Sequence, residues 1–552
     1  MRVPSTAPAR RPAAEGGPAA SPAGAAGPPA PLAARRPRAV LLAVIGFLAV
    51  TLSLYVGRRT FVHEEARRSI VAQEMVFSGD LLAPTVFEKP YFKKPPFHNW
   101  LIALTAFPTG IVGERGARTV SLVALLALGV AVYALVRRER PELAPAAALM
   151  TLTTYLAGCE YGNLAEPDML LALLGVLSYS FYLDSSGRPG RLLLSATFMG
   201  LGILTKGVLP LFFYPGLLVR ALADGETAAV GPGASAGRRR EVGRLALHLL
   251  LALVLPALWA AALWLRGDLG ALLATGAAEV AIKTTGPVVL FLRHLLTFPL
   301  RIVLSLLPWS AAVVWAWRRS PGRTALYRDS FWIALLSLGF FVLASGSRDR
   351  YILPAVPFLA VLGAHHFDGA RPVPRRLLRP ALACLALACL AGGVAGMKMG
   401  YVLQAAILCA TAALALALAW RPLRWLDFAL AVALIMVMAF EHGIYYYRAM
   451  NDNFYDPLVA RIGERVRADV PLVLDEHARL IHLGFYLEAG LERPLRARSI
   501  APAERHYLIA PVARPDSTGR VLLRLAHPHE TVGEILLQDV PAREGRPSPP
   551  AR

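Results

Sequence analysis

The segment HEEARRSIVAQEMVFSGDLLAPTVFEKPYFKKPP, His63 to Pro96, decides how this chain is read. It is polar and charged, yet it follows closely on an uninterrupted apolar run, Ala39 to Val56, and precedes a long series of further apolar runs. Two adjacent acids, Glu64 and Glu65, open it, and Lys93-Lys94-Pro95-Pro96 closes it. Between them Ala66, Ile70 and Met75 recur at roughly helical spacing among charged residues, with Gly79 placed to end the helix. The pattern predicts a helix lying in the plane of a membrane surface, its apolar face toward the headgroups.

Of the 552 residues 56% are hydrophobic, and the mean hydropathy is +0.49. That is too apolar for a soluble chain and predicts a polytopic α-helical membrane protein. The Ala39–Val56 run is long enough to cross about 30 Å of hydrocarbon at about 1.5 Å per residue. Its apolar core exceeds that of a cleaved signal peptide, so it reads as a signal anchor. Arg35, Arg36 and Arg38 precede it, which keeps residues 1–38, mostly Ala, Pro and Gly, as a disordered cytoplasmic tail and turns His63 to Pro96 outward.

The formal net charge of +21 does not point to nucleic acid, because the arginines sit in short clusters between apolar runs, where they act as topology signals. The clusters Arg137/Arg138/Arg140, Arg188/Arg191, Arg238/Arg239/Arg240, Arg318/Arg319/Arg323, Arg371/Arg375/Arg376/Arg379 and Arg421/Arg424 each fall two spans apart. Spans fit near 39–56, 116–136, 143–158, 169–185, 190–205, 207–222, 245–265, 297–317, 328–345, 351–367, 378–396, 401–420 and 425–445. Thirteen crossings place the C-terminus outside, with outer loops near Glu160 to Asp168, Lys206, Gly267 to Pro287, Ser345 to Arg350 and Met397 to Gly400. Phe97 to Val112 is taken as a re-entrant or interfacial continuation of the first outer loop, which then covers 58–115 within a membrane domain of 39–445. After Tyr447 the composition becomes that of a soluble protein. Helix-like 456–468 and 476–488 alternate with strand-like 470–474 and 506–511, so 446–540 is expected to form a small α/β domain, followed by a disordered tail, 541–552. The four cysteines lie in or beside apolar spans without metal-ligand spacing and read as small core residues.

Glu64 and Glu65 at a helix start have two readings. Acids there complement the helix dipole, or a carboxylate at a membrane surface serves as the general base for a hydroxyl nucleophile. The second outer loop holds Glu160, Glu166 and Asp168, acids close to hydrocarbon and therefore functional candidates, although Asp168 equally suits an N-cap. Lys206 in Leu-Thr-Lys-Gly, and Arg348 and Arg350 in Ser-Arg-Asp-Arg-Tyr, stand at outer span ends against the inside bias of basic residues. Cations so placed suit a phosphate leaving group, whose oxygens gather charge as a glycosidic bond breaks. His294, beside Arg293, reads as structural or interfacial.

In order along the chain stand E-E-A-R, A-Q-E-M, S-G-D-L-L-A-P, E-K-P-Y-F-K-K-P-P, E-P-D-M-L-L, L-T-K-G and D-R-Y-I-L-P-A-V-P, from about Arg58 to Pro357. This series resembles the GT-C membrane glycosyltransferases. More narrowly it is similar to the bacterial lipid A aminoarabinose transferases and their relatives in the protein mannosyltransferase superfamily. The resemblance implies a GT-C-like fold and a polyprenyl-phosphate sugar donor. It also implies inverting transfer to a lipid, glycan or protein acceptor, at a hydroxyl or phosphate, and an acidic base in the first outer loop. It further implies a bacterial inner (plasma) membrane setting, with the site and C-terminal domain on the periplasmic side.

Residue by residue, the catalytic Asp of the usual Asp-Glu-Ala-Arg falls on Glu64 and its neighbour on Glu65; glutamate keeps the charge and extends the reach by one methylene. Asp168, or Glu166, takes the place of the second acid. Where relatives have Tyr-Phe-Glu-Lys-Pro-Pro, this chain has Tyr91-Phe92-Lys93-Lys94-Pro95-Pro96. Lys94 keeps the phosphate-pairing position, joined by Arg348, Arg350 and Lys206, with Tyr91 a further candidate. Lys93 replaces an acid suited to help hold a metal, and an ammonium is no ligand for a divalent ion, so neither metal nor other cofactor is expected. Lys93 and Lys94 also have a plain reading as side chains snorkelling to headgroups.

Two other function classes compete. A lipid or sugar transporter or flippase calls for paired inverted repeats and ionisable residues near the bilayer midplane, whereas the charges here gather at the outer boundary. A catalytically inactive membrane scaffold is favoured only by the Glu64 and Lys93 departures.

Overall fold

The computed structural model describes residues 32–542 except 228–231, 285–287, 311–312, 315–323, 345, 367–371, 452–454, 477–479, 502–503 and 528–531. Both expected tails lie largely outside the described residues, as do Arg318, Arg319, Arg323 and Arg371. The described chain is mostly helical. Among the described residues seven helices are long and apolar enough to cross a membrane: Glu114–Arg137, Gly237–Leu265, Val288–Ser305, Ala325–Leu343, Arg375–Lys398, Val402–Ala419 and Trp425–Ala449. Shorter apolar helices cover Arg38–Ser53, Asp168–Leu183, Leu209–Leu222 and Leu269–Ala278. The molecule is thus a multi-pass membrane protein.

Several expected spans are broken by local chemistry. The one expected at 143–158 is a helix, Ala144–Leu152, followed by a π-helical turn, Tyr155–Tyr161. Between them Thr154 turns extended and its hydroxyl accepts from the Ala157 N–H, starting the new turn. The stretch Gly267 to Pro287, expected as a loop, carries a helix, Leu269–Thr284. Its Ala- and Leu-rich sequence has high helix propensity, which the flanking polar residues obscured. Helix Phe97–Thr105 has nine residues, about 14 Å at about 1.5 Å per residue, half of a hydrocarbon core.

The first-loop helix, Glu65–Ser78, departs from the surface-lying helix expected of it: ten of its residues, including Ile70, Val71, Ala72 and Met75, are buried. Its apolar face meets protein instead of headgroups. Phe61, Ala66, Ile70, Phe87 and Ile102 share one core with Leu474, Leu483, Phe485 and Leu487 from the C-terminal region. A helical apolar stripe has the same period whichever partner covers it, so periodicity alone does not choose.

The C-terminal region contributes helices Tyr455–Gly463 and Ile481–Leu491 and a five-stranded sheet. The strand order is Arg496–Ala497, Leu472–Leu474, His506–Pro511, Glu534–Val540, Arg520–Ala526. The first three strands are parallel, and the last two run antiparallel to their neighbours. The sheet edge grips the first loop. The Ala497 N–H donates to the Phe87 carbonyl (2.9 Å), Lys89 pairs with Glu476 (2.8 Å), and Arg496 pairs with Glu88 (2.7 Å). Tyr486 accepts the Phe61 N–H through its hydroxyl at 3.0 Å.

Phe87 and Glu88 form the turn between short strands Thr85–Val86 and Lys89–Pro90, and both have positive φ, 56° and 59°. Non-glycine residues there cost on the order of 1 kcal/mol or more each. The offset comes from the buried Glu74 carboxylate, which accepts from the Thr85 hydroxyl and from the N–H groups of Phe87 and Glu88. Glu74 also lies against Glu488 of the C-terminal helix, whose carboxylate takes the Leu495 N–H at 3.0 Å. Burial pushes the Glu74 carboxyl up to about 7 against those hydrogen bonds, and burial together with Glu74 pushes Glu488 well above its ordinary range.

Folded-state values above the unfolded ones mean that stability present in acid is lost as pH rises through about 7. The melting temperature in detergent is therefore expected to fall by several degrees between about pH 5.5 and about pH 8.5, because the paired carboxyls must shed a proton. Glu488→Gln should flatten that slope, and an unchanged slope in the variant would assign the pH dependence elsewhere.

Candidate active site

The first-loop helix begins where His63 takes the left-handed conformation (φ 53°) and Glu64 occupies the N-cap. Glu64 makes no cap hydrogen bond. Its carboxylate instead meets Arg67 at 2.5 Å, and its side chain stays 25% exposed. Burial works against its charge, but Arg67, Arg68, Arg350 and Arg348 outweigh that and hold the carboxyl below its usual range. The result is an ionised, solvent-reachable carboxylate inside a ring of guanidinium groups.

Glu65, one position on, points the opposite way. Its carboxylate is fully buried and accepts four hydrogen bonds, from Arg118 Nε and Nη2, the Val62 N–H and the Ala165 N–H, all at 2.8 Å. Arg118 spends its remaining donors on the carbonyls of Val56, Arg59 and Thr60 at 2.8–2.9 Å, so all five of its N–H bonds are used. Burial alone would raise the Glu65 carboxyl, but Arg118, Arg59 and the Ala165 N–H together bring it down.

The second loop brings Glu166 and Asp168 beneath this helix. Lys206 donates to Asp168 and lies 4.5 Å from the centre of the Tyr351 ring; Arg350 donates to Glu166 and reaches Asp168 at 4.0 Å. All four are buried, and two cations face two anions. Arg68 bridges toward Glu64: it donates to the Tyr91 hydroxyl at 3.1 Å and has both Glu166 and Glu64 as charged neighbours. Beside it, burial and the cations Arg68 and Lys206 push His98 down to about 3, keeping it neutral. Among the described residues several buried polar atoms here lack a hydrogen-bond partner: Arg68 Nε, both His98 nitrogens, Glu166 Oε2, Asp168 Oδ2 and Arg350 Nε. Such atoms cost roughly 1–3 kcal/mol each when unsatisfied, which suits a surface built to meet a polar ligand.

Glu64, Tyr91, Glu166, Asp168, Lys206 and Arg350, all singled out in the sequence, therefore converge. Arg348 and Lys93 are exposed, and Lys94 is half-buried. Two expectations need adjustment. Lys206 and Arg350, expected to face a phosphate, are already met by carboxylates, and Glu65 is occupied by Arg118. Arg67, Arg68, His98 and Arg118 were not singled out. Arg118 had a signal, a lone cation inside an apolar span, which marks a functional or buried partner by default. Among the described residues no group of three or more His, Cys, Asp or Glu side chains is placed to hold a metal ion.

A family model described as dolichyl-phosphate-mannose-protein mannosyltransferase matches residues 93–259. The undecaprenyl phosphate-alpha-4-amino-4-deoxy-L-arabinose arabinosyl transferase of Pseudomonas paraeruginosa is 29% identical over 382 residues, covering 65% of each chain. A second such transferase, from Pseudomonas fluorescens, is 30% identical over 348 residues, covering 58% of this chain and 54% of the relative. The matches thus span just under two thirds, or less, of these relatives' own length. Among solved structures, ArnT from Cupriavidus metallidurans bound to undecaprenyl phosphate superposes with a TM-score of 0.68 at 19% identity, covering 91% of this chain and 97% of that one. The same protein in the apo state gives 0.67, covering 92% and 98%. The fold is that of ArnT.

Proposed function

We propose that this chain, which has the ArnT fold and resembles the GT-C glycosyltransferases of the aminoarabinose transferase and protein mannosyltransferase superfamily, is itself an integral-membrane glycosyltransferase. It moves a sugar from a polyprenyl-phosphate donor to a lipid, glycan or protein acceptor. The observation that carries this reading is the contrast within one cluster. Glu64 is ionised and reachable, while Glu65, Glu166 and Asp168 are buried and paired.

In the reaction an acceptor hydroxyl attacks the anomeric carbon, the carbon–phosphate-oxygen bond breaks, and the polyprenyl phosphate leaves with the electron pair. Glu64 takes the hydroxyl proton. A single displacement of this kind inverts the anomeric centre. A phosphate acceptor arrives already ionised and needs no base. The leaving phosphate is assigned to Arg348, which is exposed, and Lys94, with Arg350 and Lys206 adding positive charge that they share with Glu166 and Asp168. Tyr91 orients Arg68, and Lys93 meets headgroups. No metal enters the scheme.

The finer architecture in this reading is thirteen crossings, a membrane domain over 39–445, and an α/β domain over 446–540 on the periplasmic side of an inner membrane. Mass spectrometry of envelope lipids and glycans from cells with and without the protein tests the chemistry, and reporter fusions test the topology. Loss of one defined glycoform in the cells without it is expected, restored by the wild-type gene. Fusions after Arg138 and Arg240 should report cytoplasm and one after Tyr455 the opposite side. An unchanged glycan and lipid profile would overturn the chemistry, and a cytoplasmic Tyr455 would overturn the sidedness.

A further inference from the structure

The helix Trp425–Ala439 does not continue as an α-helix; it widens into a π-helical turn, Phe440–Tyr445. Such turns cost regular hydrogen bonding and recur at functional positions. This one brings Glu441, 1% exposed, into the protein interior from within an apolar span. A carboxylate at such a position is expensive unless partnered. Its partner is the second loop: Asn163 Nδ2 donates to Glu441 Oε1 at 2.9 Å.

The surroundings lock that contact. Arg59 Nη2 donates to the Asn163 carbonyl at 3.3 Å, and the Arg59 guanidinium lies 3.9 Å over the Tyr445 ring. The Tyr445 hydroxyl donates to the Cys159 carbonyl at 2.8 Å, and Tyr155 meets Phe440 edge-on at 5.5 Å. The π turn of the last membrane helix is therefore seated on the π turn Tyr155–Tyr161 that leads into the second loop. Three residues beyond Asn163 stands Glu166, and two further on Asp168. Ala165, between Asn163 and Glu166, donates its N–H to Glu65, and the Glu166 carbonyl accepts from the Ser121 hydroxyl at 3.0 Å.

We propose that Glu441 is a positioning residue, anchoring the start of the second loop through Asn163 so that Glu166 and Asp168 keep Arg350 and Lys206 in register beneath Glu64. The proposal rests on the glycosyltransferase reading for its catalytic consequence, but not for the anchoring itself. Displacing a catalytic constellation by about 1 Å costs up to about 10²-fold in rate. Glu441→Leu is therefore expected to lower kcat about 10- to 100-fold, with donor KM changed less than about threefold. Glu441→Gln keeps an oxygen that accepts from Asn163 and should stay within about threefold of wild type. Asn163→Asp sets two carboxylates against each other and should be as impaired as Glu441→Leu. The double variant Asn163→Asp/Glu441→Gln reverses the hydrogen bond and should recover most of the lost turnover.

Hydrogen exchange of peptides covering 163–168 gives a readout that needs no reaction. Exchange should quicken in Glu441→Leu and remain as in wild type in Glu441→Gln. Unchanged exchange in Glu441→Leu, or a Glu441→Gln variant as impaired as Glu441→Leu, overturns the proposal. If Glu441→Leu does not fold, rescue of Asn163→Asp by Glu441→Gln decides it, and no rescue overturns it. Absence of transfer by the wild-type protein would count against the glycosyltransferase reading, while the exchange experiment still decides the anchor.

Discussion

Glu64→Gln is expected to lower turnover with a hydroxyl acceptor by about 10²- to 10⁴-fold, the usual contribution of a positioned general base. Donor affinity should change little, because the amide keeps the size of the side chain and its contact with Arg67. The variant should also melt like the wild type, since Glu64 makes no cap hydrogen bond whose loss would weaken the helix. Single-turnover rates and donor binding on the same preparation separate these effects. Glu64→Asp shortens the reach by one methylene, so retained activity would mean the site tolerates the shorter arm, and loss would mean the ring of Arg67, Arg68, Arg348 and Arg350 is spaced for glutamate. A Glu64→Gln enzyme with full turnover on a hydroxyl acceptor would remove Glu64 from the role of base. Full turnover on a phosphate acceptor would instead identify the acceptor as already ionised.

Arg118→Met should do its damage to folding. The substitution deletes five hydrogen bonds and leaves Glu65 buried without a counter-charge. Breaking one side of a buried pair typically costs about 3–5 kcal/mol. The expected outcome is poor accumulation and a markedly lower melting temperature in detergent. Replacing both partners, Glu65→Met with Arg118→Met, should recover part of the stability, because paired apolar side chains leave no uncompensated charge. Equal melting of Arg118→Met and wild type would show that the pair is not structural.

These two predictions also mark the limit of what the residues alone disclose. Glu64 and Glu65 are equivalent as letters, but adjacent side chains on a helix diverge by about 100°, which sends one to solvent and one to Arg118. Lys206 and Arg350 were legible as site candidates because they stand against the inside bias expected of basic residues. Their carboxylate partners were not, because Asp168 lies 38 positions from Lys206 and Glu166 lies 184 from Arg350. The long apolar runs were readable as membrane helices, whereas the break at Thr153 and Thr154 and the π turn at Phe440 depend on tertiary contacts. Arg118 and Glu441 are visible as charges inside apolar runs, but their partners, Glu65 and Asn163, lie 53 and 278 positions away. Strand His506–Pro511, buried along its whole length, reads as a continuous apolar run; Arg520–Ala526 shows too weak an alternation to be separated from loop.

The grip of the C-terminal region on the first loop sets a schedule for biosynthesis. Phe61 leaves the ribosome 425 residues ahead of Tyr486, the side chain that accepts its N–H. At roughly 5–20 residues per second, the first loop waits about 20–85 s before that partner exists. During that interval the strained turn at Phe87 and Glu88 has no sheet edge to lean on, and the part of the Glu65–Ser78 face that the C-terminal residues cover is left to lipid or chaperone. Assembly of the candidate site thus waits until the chain has been made and docked at least as far as Tyr486, and a nascent chain interrupted shortly before then carries every candidate site residue up to Arg350 without the support that braces the first loop.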